Sequence, residues 1–200
     1  NPKIEVDYTC FDWDIDGKRS YISSILKKAK GKFNLKVMKL HGSLNWLHSR
    51  ENGGLFIKEQ TGIAPSILIA DKYPDEKLEN LIVTPTLLKN LSNTHLKMVW
   101  HNAGIDLSEA ERIVFVGYSL PLADFEFRYL LLKSLYKNGN YPKIRVILYP
   151  PDTPTLTERD RIVREMTEER YRNFFGERDI SFKYMDVKNF LVDNDAIWNW

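Results

Sequence analysis

The sequence predicts an α/β fold, a parallel sheet with helices on both faces, and two observations carry that reading. Ile113-Val114-Phe115-Val116 is an apolar run without polar alternation, the signature of a strand covered on both sides. From Ile113 onward, strand-type and helix-type segments alternate, a pattern that calls for parallel strands joined by crossover helices. Composition agrees. Of 200 residues, 43% are hydrophobic and 28% charged, with ten Phe, ten Tyr and five Trp, enough to build a core without staples. The single cysteine, Cys10, excludes an internal disulfide framework and a four-cysteine zinc site. No apolar run is long enough to span a bilayer, and the opening Asn1-Pro2-Lys3 does not lead into a signal peptide, so a cytoplasmic protein away from membranes is expected.

Taken in order, Phe11 to Ile15 alternates apolar and acidic residues and meets Asp16-Gly17, a hairpin turn, with a return strand through Tyr21 and Ile22. Asp12, Asp14, Asp16 and Gly17 imitate a calcium loop. Its twelfth position is Ser23 where a bidentate Glu is needed, so the hairpin is the better reading. Lys36 to Leu40 reads as a short strand ending at His41. Leu44 to His48 and Leu55 to Ile57 form a hairpin within a small β-rich insertion over residues 41–81. Leu81 to Val83 is a buried-type strand, and Leu87, Leu88, Leu91, Met98 and Val99 suit a helix ending near Gly104. Ser108 and Glu111 have capping-box spacing.

After Val116, the loop Gly117-Tyr118-Ser119-Leu120-Pro121 leads to a helix from Asp124 to Tyr136. That helix is apolar around most of its circumference, which places Phe125, Phe127 and Tyr129 in the core. Ile144 to Leu148 is the next strand. Thr157 to Phe175 is an amphipathic helix with Ile162, Val163, Met166 and Phe174 inward and Gly176 as its stop. Ile180 to Met185 and a short helix from Val187 to Leu191 close the order.

The charge is uneven. Lys18, Arg19, Lys27, Lys28, Lys30, Lys32, Lys36, Lys39 and Arg50 fall in a stretch with no acidic residue, leaving −7 on the rest of a chain whose total is +2. Such an excess attracts phosphate ligands, nucleic acid or an acidic partner, and a solvated Lys-rich helix face explains it equally well.

In open parallel sheets ligands sit beyond the carboxyl ends of strands. Two segments occupy such positions: His41-Gly42-Ser43-Leu44-Asn45-Trp46 and Gly117-Tyr118-Ser119-Leu120. Each pairs a glycine with a small hydroxyl that can bond a ribose or phosphate. His41 adds an imidazole, the side chain suited to general-base work near neutral pH. His95 and His101 lie six apart on a helix, on different faces, and make no shared metal site; His48 packs beside Trp46. No metal ligand set is expected.

Lys39-Leu40-His41-Gly42-Ser43-Leu44-Asn45-Trp46, followed downstream by Val116-Gly117-Tyr118-Ser119-Leu120-Pro121, resembles the sirtuin-like domains of bacteria, many of which consume NAD in anti-phage defence systems. Thr84-Pro85-Thr86 with Lys89 resembles a segment between those two motifs. The resemblance implies a Rossmann-like sheet and an NAD hydrolase-type activity with NAD as substrate. It makes His41 the catalytic residue and sets Gly42, Ser43, Asn45, Gly117, Tyr118 and Ser119 against the dinucleotide. The zinc cysteines of sirtuin deacylases are missing here, so zinc and lysine deacylation are not expected. The family's opening Gly-Ala-Gly loop and the Asn-containing segment after it are missing too. The chain is therefore expected to be the C-terminal portion of such a domain, its first βα units and half of the dinucleotide site lying upstream of Asn1. NAD or a related nucleotide is the expected partner, with self-association into a homo-oligomer. The alternative is a non-catalytic nucleotide- or nucleic-acid-binding module using the basic segment 18–50, and a third reading is a domain that only mediates assembly.

Overall fold

The computed structural model describes residues 6–7, 35–49, 55–57, 77–83, 93–137, 141–149, 156–176 and 178–192. The hairpin read around Asp16-Gly17, the calcium-loop mimic, the Thr84-Pro85-Thr86 segment and most of the basic stretch lie outside these residues. The chain divides into two compact units, Asn1–Gly104 and Ile105–Trp200. Among the described residues no helix is long and apolar enough to cross a membrane.

In the first unit two short strands, β1 (Val6–Asp7) and β2 (Leu35–Lys36), pair in parallel. The segment expected to be a strand up to Leu40 therefore stops at Lys36, and His41 sits in a turn. A three-stranded antiparallel sheet follows: β3 (Gly42–Ser49) is central, flanked by β4 (Leu55–Ile57) and β5 (Leu78–Ile82). The β3–β5 register shifts between Gly42 and Leu47, an irregularity at the point where the chain leaves the turn. Helix α1 (Thr94–Glu109) buries Leu96, Val99, Trp100 and Ala103, a stripe at three- and four-residue spacing. Leu96 and Val99 share a cluster with Trp46, Leu81 and Val83, so the helix's opening turns cover the antiparallel sheet. Asn93 caps that helix, its side-chain oxygen accepting from the amides of His95 and Leu96. The helix does not stop near Gly104 but runs on to Glu109. Ser108 accordingly is no N-cap; its hydroxyl donates to the Ile105 carbonyl within the helix at 2.7 Å.

The second unit is the regular alternation expected from the sequence: β6 (Arg112–Val116), α2 (Phe125–Lys137), β7 (Lys143–Leu148), α3 (Glu158–Phe175), β8 (Ile180–Tyr184) and α4 (Val187–Val192). The strands form a parallel sheet in sequential order, β6-β7-β8. β7 is central and buried on both faces from Ile144 to Leu148. Among the described residues β6 lies at the edge of this sheet, and Val116 is 39% exposed. Ile113, Phe115, Ile144 and Val146 face one way and pack with Leu131 and Leu135 of α2 and with Tyr171 and Phe175 of α3. Ile147 and Val114 face the other way and meet Phe190 of α4. Tyr171 is the hub of the larger cluster, with its ring against Phe115, Phe175 and Phe182 at centroid distances of 5.3, 6.1 and 6.0 Å. Each such aromatic pair adds roughly 0.5–1.5 kcal/mol beyond area burial.

Two helix faces differ from expectation. In α3 the buried residues are Arg164, Thr167, Tyr171 and Phe175, while Ile162, Val163 and Met166 are 48–58% exposed. The reason is that the buried polar groups find partners, one in the sheet and one in the helix itself. The Arg164 guanidinium lies over the Tyr184 ring at 3.9 Å, and the Thr167 hydroxyl donates to the Val163 carbonyl at 2.8 Å. In α2, Leu131, Ser134 and Leu135 are buried, but Phe125 and Tyr129 are 57% and 65% exposed. Only Phe127 of the three aromatics packs against the core.

Candidate functional site

The first cluster of chemistry-bearing residues is the turn at His41. Its geometry follows from where three consecutive carbonyls go. The Lys39 carbonyl accepts from the Gly42 amide at 2.9 Å, closing a four-residue turn. The Leu40 carbonyl accepts from the Trp100 indole N–H at 2.8 Å, and the His41 carbonyl from the Val83 amide at 2.9 Å. Gly42 has φ +75°, and a Cβ there would lie 2.0 Å from the Leu81 carbonyl oxygen. Only glycine tolerates both conditions.

The half-buried His41 ring is aimed by the same partner that holds its backbone: Nδ1 lies 3.0 Å from the Val83 carbonyl oxygen. A carbonyl oxygen can only accept, so Nδ1 carries a proton, and in the neutral ring the lone pair is then on Nε2. Beside it, the Lys39 ammonium donates to Ser43 Oγ at 3.0 Å, and the Ser43 hydroxyl donates to Asn45 Oδ1 at 2.6 Å. The structure thus brings together His41, Gly42, Ser43 and Asn45, with Lys39 added.

The second cluster follows β6. Gly117 takes φ +66° at the carboxyl end of the strand, and its amide donates to the Ile147 carbonyl of β7 at 2.9 Å. Nothing lies within 4 Å of a Cβ built there, so the glycine serves the backbone turn rather than a close approach by a neighbour among the described residues. Tyr118 turns its ring inward, 6.2 Å from Phe115 and 5.4 Å from Phe127. Its phenol donates to Asp124 Oδ2 at 2.7 Å. Burial first, then the bond to Asp124 and that carboxylate's charge, push the phenol well above its ordinary range. The Tyr118 carbonyl in turn accepts from the Tyr171 hydroxyl at 2.7 Å. Ser119 is exposed at the tip of the loop. Gly117, Tyr118 and Ser119 therefore form one pinned loop, with Ser119 outward and Tyr118 anchored.

Several residues that shape these clusters were not singled out from the sequence. Val83 and Trp100 act across 42 and 60 residues of chain, and no local pattern points to them. Leu120 is the one non-glycine residue with positive φ among those described, at +51°, and it is fully buried. No local signal announces it, since the following Pro121 favours an extended Leu120 at negative φ. The Arg128 guanidinium donates to the Leu120 carbonyl at 3.3 Å and holds the strained residue. His95, half-buried, and His101, exposed, sit on α1 without forming a cluster.

No family model matches the chain, and no curated protein or solved structure gives a match.

Proposed function

We propose that this chain is part of a sirtuin-like protein of Rossmann-like architecture that cleaves NAD, with His41 as general base. The observation that carries this reading is the His41 ring, whose Nδ1–H is committed to the Val83 carbonyl so that Nε2 is the proton acceptor. In the reaction the glycosidic bond to nicotinamide breaks and nicotinamide leaves with the bonding electron pair. Water then adds to the ribose carbon, and its proton passes to Nε2 of His41. The products are nicotinamide, ADP-ribose and one proton. Gly42 and Ser43 hold the turn around the imidazole, and Asn45 fixes Ser43. In the second unit, the pinned loop with Gly117 and the outward Ser119 serves as a nucleotide-contacting turn at the end of a parallel strand.

The test is nicotinamide release by the full chain and its His41→Gln variant, alongside calorimetric titration with NAD. Release is expected to fall by roughly 10²–10⁴-fold while binding stays within about threefold. Release unchanged in His41→Gln removes His41 from the chemistry. A wild-type protein that carries the whole dinucleotide site and neither binds nor cleaves NAD removes the activity itself.

A further inference from the structure

We infer that the outer face of α2 and α3 is a self-association surface, which a second copy of this chain covers in a two-fold, antiparallel arrangement. The face is apolar where a solvated helix pair should be polar. Leu122, Phe125, Tyr129, Ile162, Val163 and Met166 are each between 48% and 65% exposed. Leu122, Phe125, Tyr129 and Met166 line a groove of about 810 Å³ together with Leu132 and Phe174, and with Arg128, Glu169, Arg170 and Asn173 as its polar members.

The N-terminal half of α3 turns aliphatic residues outward: Ile162, Val163 and Met166 are about half exposed, while Arg164 and Thr167 are buried and Tyr171 and Phe175 anchor the helix to the core. Six such side chains at half to two-thirds exposure present on the order of 600 Å². That is at the top of the range for the largest apolar patch on a monomer. It also approaches the ~800 Å² that each partner contributes to a standard interface.

Charge decides between occupants. The two guanidiniums in the groove are already committed to the protein: Arg128 donates to the Leu120 carbonyl, and Arg170 to the Met166 carbonyl and the Thr167 hydroxyl. They frame an apolar floor rather than wait for an anion. Along the exposed edge of α3 the charges run Arg161, Glu165, Glu169, all on one line at four-residue spacing. A ligand of one sign gains at one end of that line and loses at the other. An antiparallel copy sets Arg161 opposite Glu169 of the second copy, and the two-fold axis repeats the pair. The one like-charge meeting, Glu165 with its own copy near the axis, stays at the solvent-screened edge. Nearby Met166 and Val163 then pack across the axis into the partner's groove.

Sedimentation velocity of the full chain over a concentration series tests this. The expected result is a reversible monomer–dimer equilibrium. Met166→Glu should weaken it by at least about 100-fold, because each substitution enters a two-fold interface twice. Thermal melting followed by circular dichroism should be unchanged, since Met166 is 58% exposed. Arg161→Glu alone should weaken the dimer about tenfold, and the double variant Arg161→Glu with Glu169→Arg should restore it. A monomer at every concentration overturns the inference, as does a dimer indifferent to Met166→Glu. Binding of the monomer to phosphatidylcholine vesicles would assign the face to lipid and overturn it equally.

Discussion

A methyl group on Gly42 would lie 2.0 Å from the carbonyl oxygen of Leu81, and the glycine sits at φ +75°. The turn that aims His41 therefore rests on the missing side chain of its neighbour. Gly42→Ala must either push the Leu81 backbone away or rotate out of the left-handed region, and each breaks the register of Gly42 with Ile82. The left-handed conformation alone costs an L-residue roughly 1–2 kcal/mol, and the backbone clash adds to it. We expect Gly42→Ala to lose about 3 kcal/mol or more of stability by urea unfolding. Under the proposed function it should also lose most NAD cleavage, even at temperatures where the chain remains folded.

Tyr171 gives a prediction about alkaline pH. Its ring is fully buried, its hydroxyl donates to the Tyr118 carbonyl, and burial raises the phenol above its ordinary range. The folded chain thus keeps the proton after the unfolded chain has released it. Above about pH 10 the unfolded state binds fewer protons, so stability falls as pH rises, by up to about 1.4 kcal/mol per unit for this group. Below that pH the contribution is complete. Tyr118 acts with the same sign. Urea midpoints measured from about pH 8 to 11 should fall more steeply for the wild type than for Tyr171→Phe. At pH 8 the variant should be less stable by about 1 kcal/mol, having left the Tyr118 carbonyl without its donor.

The extent to which this molecule is legible in its sequence follows from the range of the forces involved. The α/β half reads well because each segment carries its own signal: the unbroken apolar run Ile113 to Val116 of β6, the Thr157 cap with its reciprocal Asp160 bond, and Gly176 as the stop of α3. The faces of α2 and α3 read badly, because counting apolar residues ignores what the sheet offers opposite them. Arg164 is buried by Tyr184, and Thr167 by its own helix carbonyl, and neither partner is visible in a helical wheel. At the candidate site the motif residues His41, Gly42, Ser43 and Asn45 were legible as a local string. Their governors were not, since Val83 and Trp100 reach the turn only after the antiparallel sheet and α1 have formed.

Ser43 is the residue most open to a rival chemical role, that of a nucleophile, and its hydrogen bonds argue against it. Its hydroxyl proton points to Asn45 Oδ1, an amide oxygen that cannot accept a proton in catalysis. Its oxygen lone pair is engaged by the Lys39 ammonium, which lowers its nucleophilicity further. A hydroxyl tied in this way positions the turn and its ligand and does not attack. Ser43→Ala should therefore keep kcat for nicotinamide release within about tenfold of the wild type and show its effect mainly in KM, the pattern of a lost binding contact. His41→Gln should show the opposite split, with kcat carrying the loss. If Ser43→Ala instead abolishes kcat, or a covalent ADP-ribosyl adduct on Ser43 is found by mass spectrometry, the roles of these two neighbours must be exchanged.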